Sequence, residues 1–591
     1  MEALQVAWTD GQGGLPADFS SAGMLASLRA ERGAGVPAES EGDAEAALRG
    51  AAKVVEAVYD APYLAHGQLE PPSALARFTP EGGLELWAPN QMPELFQSVA
   101  AKIAGLEPAQ VTLHSPMLGG FFGRHFLYDH ANSFVQAILL AKAAGRPVKV
   151  LWSREEEFGR DALRPLGFAR FRAGLDAAGM PVALHAAVVG EGPIGRYFGA
   201  VLGTSPVDPS VVEGIVEKPY AIPHRRIDYV RQAHPVVIAF WRSVGHSMND
   251  YFYESFLDEV AEAGGQDPFA LRMALLRDRP RQRALLQAVA DLSGGWKRGP
   301  FEAEGGRHAR GVAMATPFGT EVATIAEVSI RDGEVVVHDV WVAIDPGSVV
   351  NPAIITAQVQ SAVALGLSSS LLEEAVFENG APKARNFDSY SILARDRMPR
   401  VHVKIVESGA PMGGIGEPGL PGVPPAVANA VAALTGQRVR SLPFAKTPPR
   451  RGLTDQQQRR HGGAEKAMST QEIVLYHPVR TAIGSYNGML KGVPATELGA
   501  TMVRETLARW PRAGEGRQCR PGRQPDEPGP AGRHPWRGAG DGAGDDGEPR
   551  LRLRRAGHRD SGAGDRRHRV ARVSGLDALI PVRVWDHAMR T

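Results

Sequence analysis

Residues 413–419, Gly413-Gly414-Ile415-Gly416-Glu417-Pro418-Gly419, set one carboxylate inside a run of glycines. Prolines 411, 418, 421, 424 and 425 bound the run. Glycine lets backbone come close to a ligand, and proline stiffens the approach. Such a segment can present bare amides and one carboxylate, Glu417, to a bound molecule. The plainer alternative is a solvated surface loop.

A second glycine run is Leu118-Gly119-Gly120-Phe121-Phe122-Gly123-Arg124. Its backbone N–H groups can face anionic oxygens, or it is simply a tight turn. It is neither G-x-G-x-x-G nor a phosphate-binding loop ending in Lys-Ser/Thr. Pro62 to Pro71 holds His66, Gln68 and Glu70 between prolines. His66 is a metal ligand or a hydrogen-bonding residue near a pocket. Trp241-Arg242-Ser243-Val244-Gly245-His246-Ser247 offers a guanidinium in a glycine turn, for an anion or for a structural ion pair. Asp345-Pro346-Gly347 and Asn351-Pro352 read as turn chemistry.

The elements that must position these groups are mixed α/β. Val54–Tyr59 and Leu84–Trp87 read as strands. Ala131–Ala144 reads as an apolar helix that ends at Gly145 and is followed by a strand from Pro147 to Trp152. Residues 166–235 read as strands and loops. Tyr251–Ala263 reads as an amphipathic helix with Phe252, Phe256, Leu257 and Val260 inward. Asp267-Pro268 starts another. Residues 323–350 are β-rich, and an apolar helix begins at Asn429. Leu4–Trp8 reads as a strand and Asp10–Gly14 as a turn.

Composition excludes several functions. The 591 residues carry a net charge of +1, so nothing electrostatic favours nucleic acid or an anionic membrane. No apolar run approaches the ~20 residues of a membrane span. No basic-then-apolar export signal opens the chain. The single cysteine, Cys519, rules out an intramolecular disulfide and an iron–sulfur cluster held by this chain alone. No CxxC or HExxH pattern exists, so a structural zinc site is not expected. If the chain does redox chemistry, the centre is a cofactor needing no cysteine, and electrons leave through a partner.

Taken in order, these segments resemble the molybdopterin-binding large subunit of the xanthine dehydrogenase/aldehyde oxidase superfamily, isoquinoline 1-oxidoreductase beta-subunit type. The matching pieces are residues 63–71, 88–91, 119–124, 148–156, 241–247, 343–352 and 413–418. The resemblance runs nearly continuously to about residue 445. It implies a multi-domain molybdenum-hydroxylase architecture, with molybdopterin-binding domains at 1–235 and 236–445. It implies molybdenum held by the dithiolene of molybdopterin cytosine dinucleotide, with no protein metal ligand. Glu417 would be the general base that activates a metal-bound hydroxyl for attack on an electron-poor carbon. Gly119, Gly120, Phe121, Phe122 and Gly123 would approach the cofactor, with Gln91, Arg242, Gly414 and Gly416 near it. The substrate would be an N-heteroaromatic or an aldehyde, and electrons would pass to a small subunit carrying 2Fe–2S clusters. The compartment would be cytoplasmic, or periplasmic if an export signal lies upstream.

Two departures accompany the match. The upstream Met-Gly-Gln-Gly cofactor loop of such proteins is not in this sequence, so the chain reads as truncated at its start. Phe121 stands where a third consecutive glycine is common. The alternative reading is an inactive or subunit-binding fragment. Beyond 445, residues 446–467 read as a linker. Residues 468–510 resemble the N-terminus of a thiolase (acetyl-CoA acetyltransferase), with Glu472–Tyr476 as a strand. Residues 511–591 are rich in Arg, Gly, Asp and Pro and read as mostly disordered, out-of-frame text.

Overall fold

A computed structural model describes residues 15–117, 119–126, 131–303 and 305–446, together with the short strands 473–474 and 569–570. The expectations for residues 1–14 and from 447 onward lie outside the described residues, apart from Ile473–Val474. That pair is a strand, as expected, and lies parallel to Arg569–Val570.

Three sheets organise residues 15–446. The first contains β1 (Val36–Glu41), β2 (Lys53–Ala61), β7 (Gly167–Leu175), β8 (Pro181–Gly190) and β9 (His224–Arg231), in the order β1-β9-β8-β7-β2. All its pairs are antiparallel except β8/β9. The second contains β3 (Ser73–Phe78), β4 (Leu84–Trp87), β5 (Val111–His114) and β6 (Val148–Leu151), in the order β5-β4-β3-β6. Helices Pro93–Ala104 and Phe134–Ala144 complete its core through Phe96, Phe134 and Ile138. The second helix ends at Gly145 in the left-handed region, as the sequence predicts.

The third sheet is built from β10 (Phe301–Ala303), β11 (Gly306–Ala315), β12 (Glu321–Arg331), β13 (Glu334–Asp345) and, after the small hairpin β14 (Phe377–Glu378) and β15 (Ala381–Pro382), β16 (Arg400–Ile405). Residues 321–329 of β12 are all buried, so both faces of this sheet are covered. Helices Pro280–Leu292 and Val423–Thr435 pack on it.

Helix His246–Ala263 lies between two sheets, against β2 and β7 of the first and β11 of the third. Residues 246–261 are buried all round, not along one stripe as expected. A helix walled in on every side needs no polar face. Its buried carboxylates are instead paired: Glu254 accepts from Tyr220 and Arg272, and Glu259 accepts from Arg440. Helix Val423–Thr435 begins six residues before the expected Asn429, because Pro424 and Pro425 fit its first turn. Residues 166–235, expected as strands and loops, also hold short helices at Pro193–Tyr197, Gly199–Leu202 and Pro209–Val212. Pro352–Leu371 is long and apolar enough to pass as a membrane span, which the apolar-run criterion missed. Residues 366–371 of this helix are buried in the protein.

Parallel strand pairs set up the functional region. β4 and β5 run parallel, so the segment carrying Gln91 and the glycine loop 119–124 leave the same edge. β13 and β16 also run parallel, and release the 346–351 and 406–422 loops together. Those two loops are tied by Gly409 N to Gly347 O and Gly413 N to Pro346 O, both 2.9 Å. Ligand sites in open α/β sheets favour such C-terminal strand edges.

Candidate active site

A cleft of about 580 Å³ is lined by Gln91, Phe122, Gly123, Arg242, Gly416 and Glu417 among the residues expected at a site. Phe126, Phe240, Trp241, Val244, Gln358 and Ser361 complete the lining. Gly119, Gly120, Phe121 and Gly414 stand outside this lining, in the same loops.

Glu417 is half-buried. Its Oε1 accepts the backbone N–H of Ser243 at 3.0 Å, and its carbonyl accepts Ser243 Oγ at 2.9 Å. Its Oε2 has no hydrogen bond among the described residues. Arg242 is buried and holds the same loop one residue earlier. Its Nε donates to Gly416 O at 2.9 Å, Nη1 to Ser361 Oγ at 2.7 Å, and Nη2 to Gln358 Oε1 at 2.9 Å. Burial pulls the Arg242 guanidinium down to about 10, against the opposing pull of the Glu417 carboxylate. It stays charged at neutral pH.

The cleft is also where the backbone is strained. Phe122, Ser243 and Val244 all have positive φ, at 51°, 72° and 48°. Side-chain-bearing residues adopt this region rarely, and a cluster of them marks a position fixed by its surroundings. Gly123, at φ 108°, shows the tightness: a Cβ there would lie 2.0 Å from the Phe240 carbonyl oxygen.

The 62–71 stretch turns out to be the bed of the glycine loop. Glu70 Oε2 accepts Gly119 N at 2.9 Å, and Gln68 Oε1 meets His125 Nε2 at 3.0 Å. His66 is buried, with Nδ1 3.0 Å from Asp161 Oδ1 and Nε2 2.9 Å from Phe240 O. Asp161 also takes the His66 N–H at 2.6 Å and pairs with Arg124, both side chains fully buried. Of the two readings of His66, the hydrogen-bonding one matches this geometry. Gln91 joins the loop from the other side, accepting His125 N at 3.2 Å. Asp345 sits in a turn, as expected, its Oδ1 taking Gly347 N at 2.8 Å; Asn351, expected in a turn, instead caps helix Pro352–Leu371, its Oδ1 taking Ala353 N at 3.1 Å.

Gln358 and Ser361 escaped the sequence reading. They stand three apart on helix Pro352–Leu371 and so share a face. Two polar positions at helical spacing in an apolar segment are the available signal.

Comparison with known proteins agrees with this arrangement. Residues 30–276 and 276–399 each match a molybdopterin cofactor-binding domain. The isoquinoline 1-oxidoreductase beta subunit of Brevundimonas diminuta is 34% identical over 394 residues, covering 66% of this chain and 48% of that protein. A Gluconacetobacter polyoxogenes protein named membrane-bound aldehyde dehydrogenase (pyrroloquinoline-quinone) is 28% identical, over 76% of this chain and 61% of its own length. The quinone in that name belongs to that protein; the domains matched here are molybdopterin-binding. Quinoline 2-oxidoreductase from Pseudomonas putida 86 shares the fold, with a TM-score of 0.60 at 15% identity over 74% of this chain and 81% of that one. The chain thus spans 48% and 61% of the two curated relatives described. With two molybdopterin domains across residues 30–399, the chain belongs to the molybdopterin-binding oxidoreductases of the xanthine dehydrogenase/aldehyde oxidase family.

Proposed function

We propose that this chain works as the molybdopterin-binding part of a molybdenum hydroxylase that oxidises an N-heteroaromatic or an aldehyde. The observation that carries this reading is Glu417, set in the cleft with one carboxylate oxygen held by Ser243 and the other without a hydrogen bond among the described residues.

The donor set of the cleft fits a pterin-held metal. Its polar lining is two carboxamides, one guanidinium, one hydroxyl and a single carboxylate. Those groups hydrogen-bond a polar cofactor well. One carboxylate alone cannot hold a metal, so the metal would bring ligands of its own. Gln91 and the Gly123 backbone are the residues assigned to the cofactor, in its cytosine dinucleotide form. When bound, the molybdenum cofactor supplies the oxidising capacity and the water-derived oxygen of the hydroxylation.

The chain's own residues supply the rest. Glu417 Oε2 takes a proton from the oxygen nucleophile while Ser243 keeps Oε1 in place. Arg242 fixes the Gly416 carbonyl, and with it the position of Glu417. Phe122, Phe126, Phe240 and Trp241 give the cleft an apolar wall that accepts a flat ring and excludes water. Electrons leave through a partner carrying 2Fe–2S clusters.

Metal analysis of purified protein, with release of a pterin dinucleotide, tests the assignment. Stoichiometric molybdenum supports it. Protein purified with its partner subunit from a molybdenum-replete host, yet free of molybdenum and pterin, contradicts it.

A further inference from the structure

The turn that holds Glu417 is itself held by a second carboxyl group. Ser243 N–H binds Glu417, and two residues on, Gly245 N–H donates to Glu213 Oε1 at 2.7 Å. Between them the backbone passes through Ser243 and Val244, both in the left-handed region. Gly245 leaves no slack, since a Cβ there would lie 2.7 Å from Ser210 O and 2.8 Å from Glu213 Cγ. The segment carrying Glu213 is pinned in turn: Asn249 Nδ2 donates to Val211 O at 2.7 Å and to Glu213 O at 2.8 Å. A strained three-residue turn is therefore clamped between two carboxyl groups that come from distant parts of the chain.

We propose that Glu213 is a positioning residue for Glu417, holding the Ser243–Gly245 turn and coupling its own proton to the one that Glu417 accepts. This rests on the reading of Glu417 as the base. The groups facing Glu213 are few. Helix His246–Ala263 presents His246 and Asp250, which are joined at 2.6 Å, and Asp250 is paired further on with Lys218. The 413–419 loop presents Glu417, and the turn presents the Gly245 N–H. Burial pushes the Glu213 carboxyl up to about 7; His246 and the Gly245 N–H pull it down, while the charges of Glu417 and Asp250 push it further up. A carboxylate charge nearby keeps a neighbouring carboxyl protonated to higher pH. When Glu417 accepts a proton, its charge disappears and Glu213 ionises more readily.

Glu213→Gln separates hold from charge, because its amide oxygen can still accept the Gly245 N–H. Infrared pH titration of the full chain should show a carboxyl that titrates near neutrality in the parent and is missing in Glu213→Gln. In Glu417→Gln, where Glu213 is intact, that same titration should move to lower pH. In the reconstituted complex, the kcat/KM profile of the parent should carry an inflection near neutrality, where Glu213 ionises beside Glu417, and Glu213→Gln should lose it, a change that a purely structural contact would not produce. The proposal is overturned if no near-neutral carboxyl is lost in Glu213→Gln, if its midpoint is identical in parent and Glu417→Gln, or if the near-neutral inflection of the kcat/KM profile persists in Glu213→Gln. The infrared arms need neither cofactor nor turnover, so they stand or fall apart from the assignment of Glu417 as the base. The Glu417→Gln arm remains available if Glu213→Gln does not fold.

Discussion

Arg242 donates through Nε to the carbonyl oxygen of Gly416 at 2.9 Å, across 174 residues of sequence. The same guanidinium reaches Ser361 and Gln358, so one cation ties three segments together behind Glu417. A lysine at 242 could not span these acceptors, because its ammonium is a point donor. Arg242→Lys should therefore lower kcat by about 10²-fold, as expected for a catalytic group displaced by about an ångström. Steady-state turnover of the reconstituted complex checks this, and a kcat within a few-fold of the parent would count against the clamp.

Gly123→Ala should be among the most damaging single changes in the chain. The added methyl would meet the Phe240 carbonyl at 2.0 Å, in a backbone conformation unsuited to alanine. A loss of about 3 kcal/mol or more is expected in denaturant unfolding. A loss below about 1 kcal/mol would mean that the 119–124 loop can move away from Phe240.

Much of this was legible in the sequence, for physical reasons that differ by element. The two glycine loops were readable because glycine and proline punctuate locally. The cap at Gly145 and the start at Asp267-Pro268 were readable because helix ends follow local rules. Placing Glu417 beside Ser243 was not, since that contact depends on parallel strand pairing far along the chain. The segment Tyr251–Ala263 looks amphipathic because its sequence carries polar residues; only the tertiary structure shows most of them buried, in a helix that starts at His246. Gln358 and Ser361 were overlooked because an apolar helix with two small polar breaks looks like core. Glu213 carries no local signal, because its bond to the Gly245 N–H is set by the tertiary structure.

Asp161→Asn should destabilise the region strongly. Arg124 and Asp161 are fully buried, and Asp161 also holds the backbone and ring of His66. Removing the negative charge leaves Arg124 buried without its counter-charge, which costs about 3–5 kcal/mol. Denaturant titration measures it; a change under about 1 kcal/mol would show that the pair contributes little.

Stability should fall only slightly from pH 6.5 to 4.5 and steeply below. Burial lowers His66, His125 and His234 to about 3, 3 and 4. Unfolding lets each imidazole take up a proton below about pH 6.5, so each withdraws stability as pH drops, at about 1.4 kcal/mol per pH unit. Glu213 and Glu373 act the other way. Burial raises both to about 7, so the folded state keeps protons that the unfolded carboxylates release above about pH 4.3, and acid favours the fold over that range. Three groups against two leave a shallow decline, which steepens once the carboxyl contribution is exhausted. Unfolding free energies near pH 7, about 5.5 and about 4 check the shape. A profile still flat at about pH 4 would contradict it.

The central claim is that Glu417 accepts the proton, and the direct measurement is turnover of Glu417→Gln in the complex with its iron–sulfur partner, at matched molybdenum content. The glutamine keeps an oxygen for the Ser243 N–H and leaves the loop in place. Turnover should fall by about 10²–10⁴-fold while molybdenum stays at the parent level. Turnover within a few-fold of the parent, on fully loaded protein, would show that the base is another group.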